Sequence, residues 1–324
     1  MADYPHPNNA CSGRFEDWLE ICLTSRCNGN CAWCVDRRGW HPKTITGWNV
    51  IVAVAVGTEK KNIILLGGEP TLHPDIKNII DALYQANKNV YVTTNGSKLT
   101  KRWVKEYLMN VHTVNISLHS TDLDENKTIT GIGIDYNNLS GSISWLRSRG
   151  KGVRLNCNCI KGFIDSKEKM LEYIHFGKGL NVASVRFAEL KYDENDFIDL
   201  ADIWDYQYGL NKDPFRLGCS MDAVIDGMPV NFRQMCGFQT NLRPRPENPI
   251  FDTNKKVLYY DGVLYNGWQM EEPMNVIELV LQKVKDGALT PEEGRVLIES
   301  QYNDKPEKVI TETVHVSDGG YCQY

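Results

Sequence analysis

Between residues 27 and 34 the chain reads Cys27-Asn28-Gly29-Asn30-Cys31-Ala32-Trp33-Cys34. Three thiols spaced C-x3-C-x2-C on one short loop can wrap a single metal centre, but they supply only three ligands. A structural zinc takes four, usually as two spaced pairs, and no second pair stands at a suitable distance. A [4Fe–4S] cluster fits better, because three cysteines leave one iron open to an outside ligand. Three chance buried cysteines are the alternative, and a polar Gly/Asn loop argues against them.

Further polar groups recur at regular places. Gly67-Gly68-Glu69-Pro70 follows one strand-like run, Thr94-Asn95-Gly96 the next, and Ser117-Leu118-His119-Ser120 the one after. Two glycines expose backbone amides and carbonyls beside a carboxylate. A lone GGEP is a weak signal; strand-end motifs in series behind a three-cysteine loop are a strong one.

The elements that must position these groups alternate strand and helix. Strand-like runs are Trp18–Ser25, Asn62–Leu66, Val90–Thr94, Thr113–Leu118, Gly152–Ile160 and Val182–Leu190. Each is short, rich in Val and Ile and nearly continuous in apolar character, as parallel strands covered on both faces are. Helical spacing falls between them at Asp75–Asn87, Lys101–Met109, Asn138–Arg149 and Lys167–Phe176, with a further helix after His41. Six βα units predict a partial (βα)6 TIM-like barrel of the α/β class, whose C-terminal rim is where sites are built. The expected organisation is an irregular leader over 1–17, the barrel over 18–190, and a C-terminal α+β extension over 191–324 that closes the substrate side. In that extension, VLYYDGVLYNGW reads as a hairpin around Asp261-Gly262, and the tail from Val276 to about Glu299 reads as helical.

Composition narrows the class. In 324 residues, 36 Lys and Arg face 41 Asp and Glu, a net charge of −5, which argues against a protein held to nucleic acid by its charge. The longest purely apolar run, Val50 to Val56, is too short to span a bilayer. The N-terminal residues lack the pattern of a secretory signal. Ten cysteines are too sparse for a disulfide scaffold and point to a reducing, cytoplasmic setting.

The cysteine loop, with an aromatic residue before its last Cys, and the GGEP motif together resemble the radical S-adenosylmethionine (radical SAM) superfamily. The similarity covers about Trp18 to Leu190. Lys127-Thr128-Ile129-Thr130-Gly131 and the strand VRLNCNCIKG look most like the molybdenum-cofactor pyranopterin cyclase branch. The resemblance implies one [4Fe–4S] cluster on Cys27, Cys31 and Cys34, whose open iron chelates SAM. One electron, from a flavodoxin- or ferredoxin-type reductant, then yields a 5′-deoxyadenosyl radical that takes hydrogen from substrate. Carried over by motif, Gly67, Gly68, Glu69 and Pro70 form the cofactor-binding turn, with Gly68 and Glu69 on the SAM amino group. Trp33 and Asn95 lie near the nucleoside, and Ser117 and Asn156 hydrogen-bond the cofactor. Lys127 stands where relatives place a cation for the SAM carboxylate; a solvated helix-end lysine is the alternative.

The chain also departs from that branch. Its relatives carry a second cluster on a C-terminal group of three cysteines, whereas only Cys219, Cys236 and Cys322, widely spaced, follow residue 190. This disfavours a second cluster and, with it, pyranopterin cyclase activity itself. Cys157 and Cys159 share one face of a strand and read as small buried hydrophobes, opposite Asn156 and Asn158. Cys236 stands on an Arg-rich segment, as a hydrogen-atom donor or an inert thiol. Substrate-side candidates are Arg38, His41, Arg186, Glu189 and Arg233, with Arg243 and Arg245 beyond. The arginines favour a small anionic, nucleotide-derived substrate undergoing rearrangement, cyclisation or C–C bond formation. The alternatives are modification of a ribosomally made peptide, such as epimerisation, and an iron–sulfur protein without turnover.

Overall fold

The computed structural model describes residues 17–190, 195–205, 207–210, 219–234, 256–266, 284–287, 289–293 and 295–296. Six Val/Ile-rich runs form parallel strands β1 (Trp18–Cys22), β2 (Asn62–Leu66), β3 (Asn89–Thr94), β4 (Thr113–Ser117), β5 (Gly152–Asn158) and β6 (Ser184–Ala188), paired in chain order. Helices α1 (Val35–Arg38), α2 (Trp48–Gly57), α3 (Ile76–Gln85), α4 (Lys101–Tyr107), α5 (Leu123–Thr130), α6 (Tyr136–Ser148) and α7 (Lys167–Gly179) lie in the connections. Side chains set several of their starts. Thr100, Asp122, Asp135 and Ser166 each accept a backbone N–H of the first turn of α4, α5, α6 and α7. Asp135 explains why α6 begins at Tyr136, ahead of the Asn138 expected from apolar spacing.

β2 matches its expected run and β3 begins one residue earlier, whereas β1, β4, β5 and β6 are shorter than the apolar runs suggest. β1 stops at Cys22 and β5 at Asn158, because the residues beyond leave the sheet to build the rim. One face of the sheet packs on the helices. Leu155 and Val185 lie within van der Waals reach of the position a Cβ on Gly177 of α7 would take, and Val153, Leu155, Cys157, Val185 and Phe187 are fully buried in the main core. Cys157 and Cys159 do occupy that apolar side.

The opposite face is concave. Glu20 on β1 lies within electrostatic reach of Arg186 on β6, five steps along the strand order. A flat sheet at about 4.8 Å per strand would keep them more than about 20 Å apart. The sheet therefore curls towards a barrel, yet among the described residues it does not close: further strands are added beyond both β1 and β6.

The hairpin expected around Asp261-Gly262 forms, but sequence reasoning did not place it on the barrel sheet and missed a second hairpin at the other end. β8 (Met228–Gln234) pairs parallel with β6 and antiparallel with β7 (Cys219–Ile225). The turn between them is Asp226-Gly227, both at positive φ (49° and 76°), the type I′ geometry that this dipeptide favours. At the other end β9 (Lys256–Tyr259) pairs parallel with β1 and forms a hairpin with β10 (Leu264–Asn266). Both hairpins extend the barrel sheet. A five-residue helix, α8 (Leu200–Trp204), follows β6.

The chain divides into two compact units, Met1–Met270 and Glu271–Tyr324. Of the second, helical residues are described at 284–285, 291–293 and 295–296, interrupted by a turn at 286–287 with Gly287 at φ +73°, which agrees with a second helix start expected at Thr290-Pro291-Glu292-Glu293; the other residues of the expected tail helix lie outside the described residues. Among the described residues, no helix is long and apolar enough to cross a membrane.

The rim rests on one close backbone contact. Gly68 N–H donates to Thr24 O at 2.6 Å and Glu69 N–H to Arg26 O at 2.8 Å, which clasps the segment leading into Cys27. A Cβ on Gly68 would stand 2.3 Å from Arg26 O, and one on Gly67, at φ +126°, 2.5 Å from Thr24 O. Gly68→Ala should therefore cost about 1–3 kcal/mol by overpacking. Gly57→Ala, with nothing within 4 Å of the new Cβ, should be neutral or stabilising by about 0.5 kcal/mol. Urea denaturation midpoints compare the two, and equal stability would refute the clasp.

Candidate active site

The loop after β1 carries the three candidate ligands. Cys27 is exposed, while Cys31 and Cys34 are partly buried, and all three are free thiols. Burial pushes the Cys31 thiol up to about 11; the neighbouring sulfurs of Cys34 and Cys27 act in the same direction. Burial also raises Cys34, against the amides at the start of α1. Backbone and side-chain donors already point at sulfur: Gly29 N–H reaches Cys27 Sγ at 3.3 Å and Asn95 Nδ2 reaches it at 3.9 Å. The three sulfurs do not gather within 4.8 Å of one another, whereas thiolates on one tetrahedral zinc ion stand about 3.8 Å apart. Three thiols at wider spacing on an amide-rich loop suit a polynuclear iron–sulfur centre better than a single ion.

Two neighbours hold this loop. Towards β3, Asn28 donates to Ser97 Oγ at 3.0 Å and accepts from Asn95 Nδ2 at 2.9 Å. Towards α5, Asn30 N–H donates to Thr130 O at 2.7 Å, where the helix ends on left-handed Gly131. Trp33 is buried in a small separate cluster with Ile129, Ile160 and Leu190, its ring edge-on to His119 at 5.5 Å. His119 is itself buried, which lowers its pKa to about 4; its Nδ1 accepts Asn158 N–H at 3.0 Å.

Glu69 is a buried hub. Oε1 accepts from Thr71 N at 3.1 Å, Thr71 Oγ1 at 2.5 Å and Thr94 Oγ1 at 2.6 Å; Oε2 accepts from Asn95 N at 2.7 Å. Burial raises its pKa against these hydrogen bonds. Its side chain thus ties the end of β2 to the end of β3, and Pro70 opens the buried 3-10 turn that follows. Gly67, Gly68, Glu69 and Asn95 are brought together beside Cys27. Ser117 and Asn156 meet by register on adjacent strands. Lys127 is exposed on the last turn of α5, its stem 3.8 Å from where a Cβ on Gly133 would stand.

The substrate-side candidates divide. Arg38 donates to Ala32 O at 3.0 Å within the loop. His41 lies against Asp36 and stacks on Tyr260 at 6.0 Å. Glu189 is 1% exposed and accepts Leu200 N–H at 3.1 Å, anchoring α8. Cys236, Arg243 and Arg245 lie outside the described residues. Arg186 and Arg233 remain on the concave face, joined there by Arg154, which sequence reasoning passed over. Arg154 precedes Asn156 by two residues on β5, and that period-two offset was the available signal.

Arg154 Nε donates to Asn156 Oδ1 at 2.8 Å and Arg186 Nε to Asn231 Oδ1 at 2.7 Å. Burial lowers the pKa of both, and mutual repulsion adds to it: Arg233 acts on Arg154, and Arg154 and Arg233 act on Arg186. Asp222 opposes the effect on both, joined by Tyr91 at Arg154 and by Glu20 at Arg186. Among the described residues, no ion pair joins any of the three to a carboxylate.

A family model for the radical SAM superfamily matches residues 21–174, from β1 into α7. The chain is 27% identical over 256 residues to the GTP 3′,8-cyclase of Aquifex aeolicus, covering 75% of this chain and 71% of that one. It is 30% identical over 264 residues to a protein of Sulfolobus acidocaldarius named "Probable GTP 3′,8-cyclase", covering 78% of this chain and 81% of that one. In fold it resembles SuiB of Streptococcus suis, solved bound to S-adenosylmethionine, with TM-score 0.53 and 18% identity; the match covers 82% of this chain and 65% of SuiB. With the cysteine loop and the GGEP clasp on one rim, identity sustained across most of an archaeal relative shows that the chain belongs to the radical SAM superfamily of enzymes, in its pyranopterin cyclase-like branch.

Proposed function

We propose that this radical SAM enzyme holds a [4Fe–4S] cluster on Cys27, Cys31 and Cys34 and acts on a small, anionic, nucleotide-like substrate whose phosphates sit against Arg154, Arg186 and Arg233. When bound, the cluster and S-adenosylmethionine supply a 5′-deoxyadenosyl radical that abstracts hydrogen from the substrate. The chain's own residues do the positioning. Asn28, Asn95 and the Gly67–Gly68 backbone fix the loop. Ser117 and Asn156 face the same side and offer hydrogen bonds to a nucleoside, and Lys127 offers a cation to a carboxylate.

The observation that carries the substrate reading is the crowding of the three guanidinium groups. A guanidinium stays charged at neutral pH. Three of them, partly desolvated and, among the described residues, in no ion pair with a carboxylate, repel one another until an anion enters, and the planar forks match phosphate geometry. The cyclase relatives named above take GTP according to their names, which supports a nucleoside triphosphate and a cyclisation-type outcome. The absence of a C-terminal group of three cysteines separates this chain from that branch's second-cluster chemistry.

Replacing Cys27, Cys31 and Cys34 together with Ala should abolish iron uptake, which in the wild type reaches about four irons per chain. Full iron in the triple variant would move the ligands elsewhere. For the substrate, calorimetry on the cluster-loaded protein should show nucleoside triphosphates binding and the parent nucleosides not. Arg186→Gln and Arg233→Gln should each weaken triphosphate binding by about 1.5–3 kcal/mol, roughly 10–150-fold, and added salt should weaken the wild type. Unchanged affinity in both variants, or nucleosides binding equally well, would defeat the proposal.

A further inference from the structure

A second cluster of ligand-type side chains lies behind the cysteine loop. Cys22 ends β1, Asp36 opens α1, and His41 follows that helix; one ligand atom from each lies within 4.8 Å of the other two. Cys22 Sγ is 3.8 Å from Asp36 Oδ1, and His41 Nε2 is 3.6 Å from the same oxygen. For zinc at about 2.3 Å from sulfur and about 2.0 Å from nitrogen or oxygen, tetrahedral geometry asks for about 3.5 Å and about 3.3 Å. The two separations that meet at Asp36 therefore stand within a few tenths of an ångström of a coordination shell.

The surroundings hold them there. Cys22 is fully buried, and the side chains of Asp36 and His41 are 11% and 21% exposed. The His41 ring stacks on Tyr260, whose hydroxyl donates to Pro42 O at 3.1 Å, so the histidine and the residue after it are both braced by the β9–β10 hairpin. Nδ1 of His41 is buried without a hydrogen-bond partner. Nε2, the nitrogen 3.6 Å from Asp36 Oδ1, is itself 2.8 Å from Asp36 O, so a cation at this site takes the place of that hydrogen bond.

We propose that Cys22, Asp36 and His41 form a mononuclear site for a divalent cation of the zinc class, separate from the three cysteines of the loop. Sulfur, imidazole and one carboxylate suit a borderline cation, and a fourth position stays open to water. Binding involves no change of oxidation state. The Cys22 S–H bond breaks, a metal–sulfur bond forms and that proton leaves to solvent, while the His41 ring proton moves from Nε2 to Nδ1 so that Nε2 can bind. Such an ion would tie the end of β1 to the segment directly after Cys34 and so brace the loop from behind.

The test uses the full chain with its iron already reconstituted anaerobically, then exposed to Zn2+ or Co2+ and desalted. About one zinc per chain should remain beside the iron, and cobalt should give tetrahedral d–d bands with a thiolate charge-transfer band. Cys22→Ser and His41→Gln should each weaken zinc binding by about a hundredfold or more at unchanged iron content. His41→Gln changes only the partly exposed member, so the result does not hang on whether Cys22→Ser folds. No retained zinc in the wild type, or zinc equally retained in both variants, would overturn the site. So would zinc that follows Cys27→Ala instead.

Discussion

Two peptide hydrogen bonds, from Gly68 N–H to Thr24 O and from Glu69 N–H to Arg26 O, set where the cysteine loop begins. They bring the end of β2 against the exit of β1 at a distance that any side chain on Gly68 would prevent. From that contact the rest of the rim follows in a ring. Glu69 reaches across to Thr94 and Asn95 at the end of β3, and Asn95 returns to Asn28 and Cys27. Burying a carboxylate is costly unless its lone pairs are used, and here four donors use them. Glu69 thus belongs as much to the architecture of the rim as to any ligand it meets.

The loop has its own small apolar base as well. Trp33 packs with Ile129, Ile160 and Leu190 in a cluster distinct from the main core. The end of α5 meets the loop backbone through Thr130 and Gly131. Strand β1, the GGEP turn, β3 and α5 therefore each fix a different part of eight residues. A reactive centre that must stand a set distance from a substrate needs that over-determination.

The concave face shows the opposite logic. TIM-type barrels ordinarily fill this space with branched apolar side chains. Here β5, β6 and β8 place Arg154, Asn156, Arg186, Asn231 and Arg233 there. Repulsion among the guanidiniums opposes folding, and the main core, continuous from α2 to β9, offsets it. Local rules of this kind are broken mainly where function requires it, so the charge on this face and the proposed anionic substrate explain one another.

Much of this was legible from residue order. The C-x3-C-x2-C loop, the GGEP turn and the six alternating strand and helix units depend on spacings of a few residues, which covalent geometry and side-chain periodicity impose locally. The lengths of β1, β4, β5 and β6 were overestimated because apolar character runs on into the rim residues, and the Asp226-Gly227 hairpin was overlooked despite its turn signal. What the chain order could not convey is which distant groups meet. Arg154, Arg186 and Arg233 become neighbours only through the β5–β6–β8 pairing. Cys22, Asp36 and His41 converge where Tyr260, between β9 and β10, packs on His41 and bonds Pro42. Glu69, read from the motif as a cofactor ligand, is also a buried tie between strand ends. The sequence by itself determined the candidate ligand set and the parallel βα order. Register and curl between strands far apart in the chain were decided by the tertiary structure alone, because they depend on non-local packing and hydrogen bonds that no short-range pattern encodes.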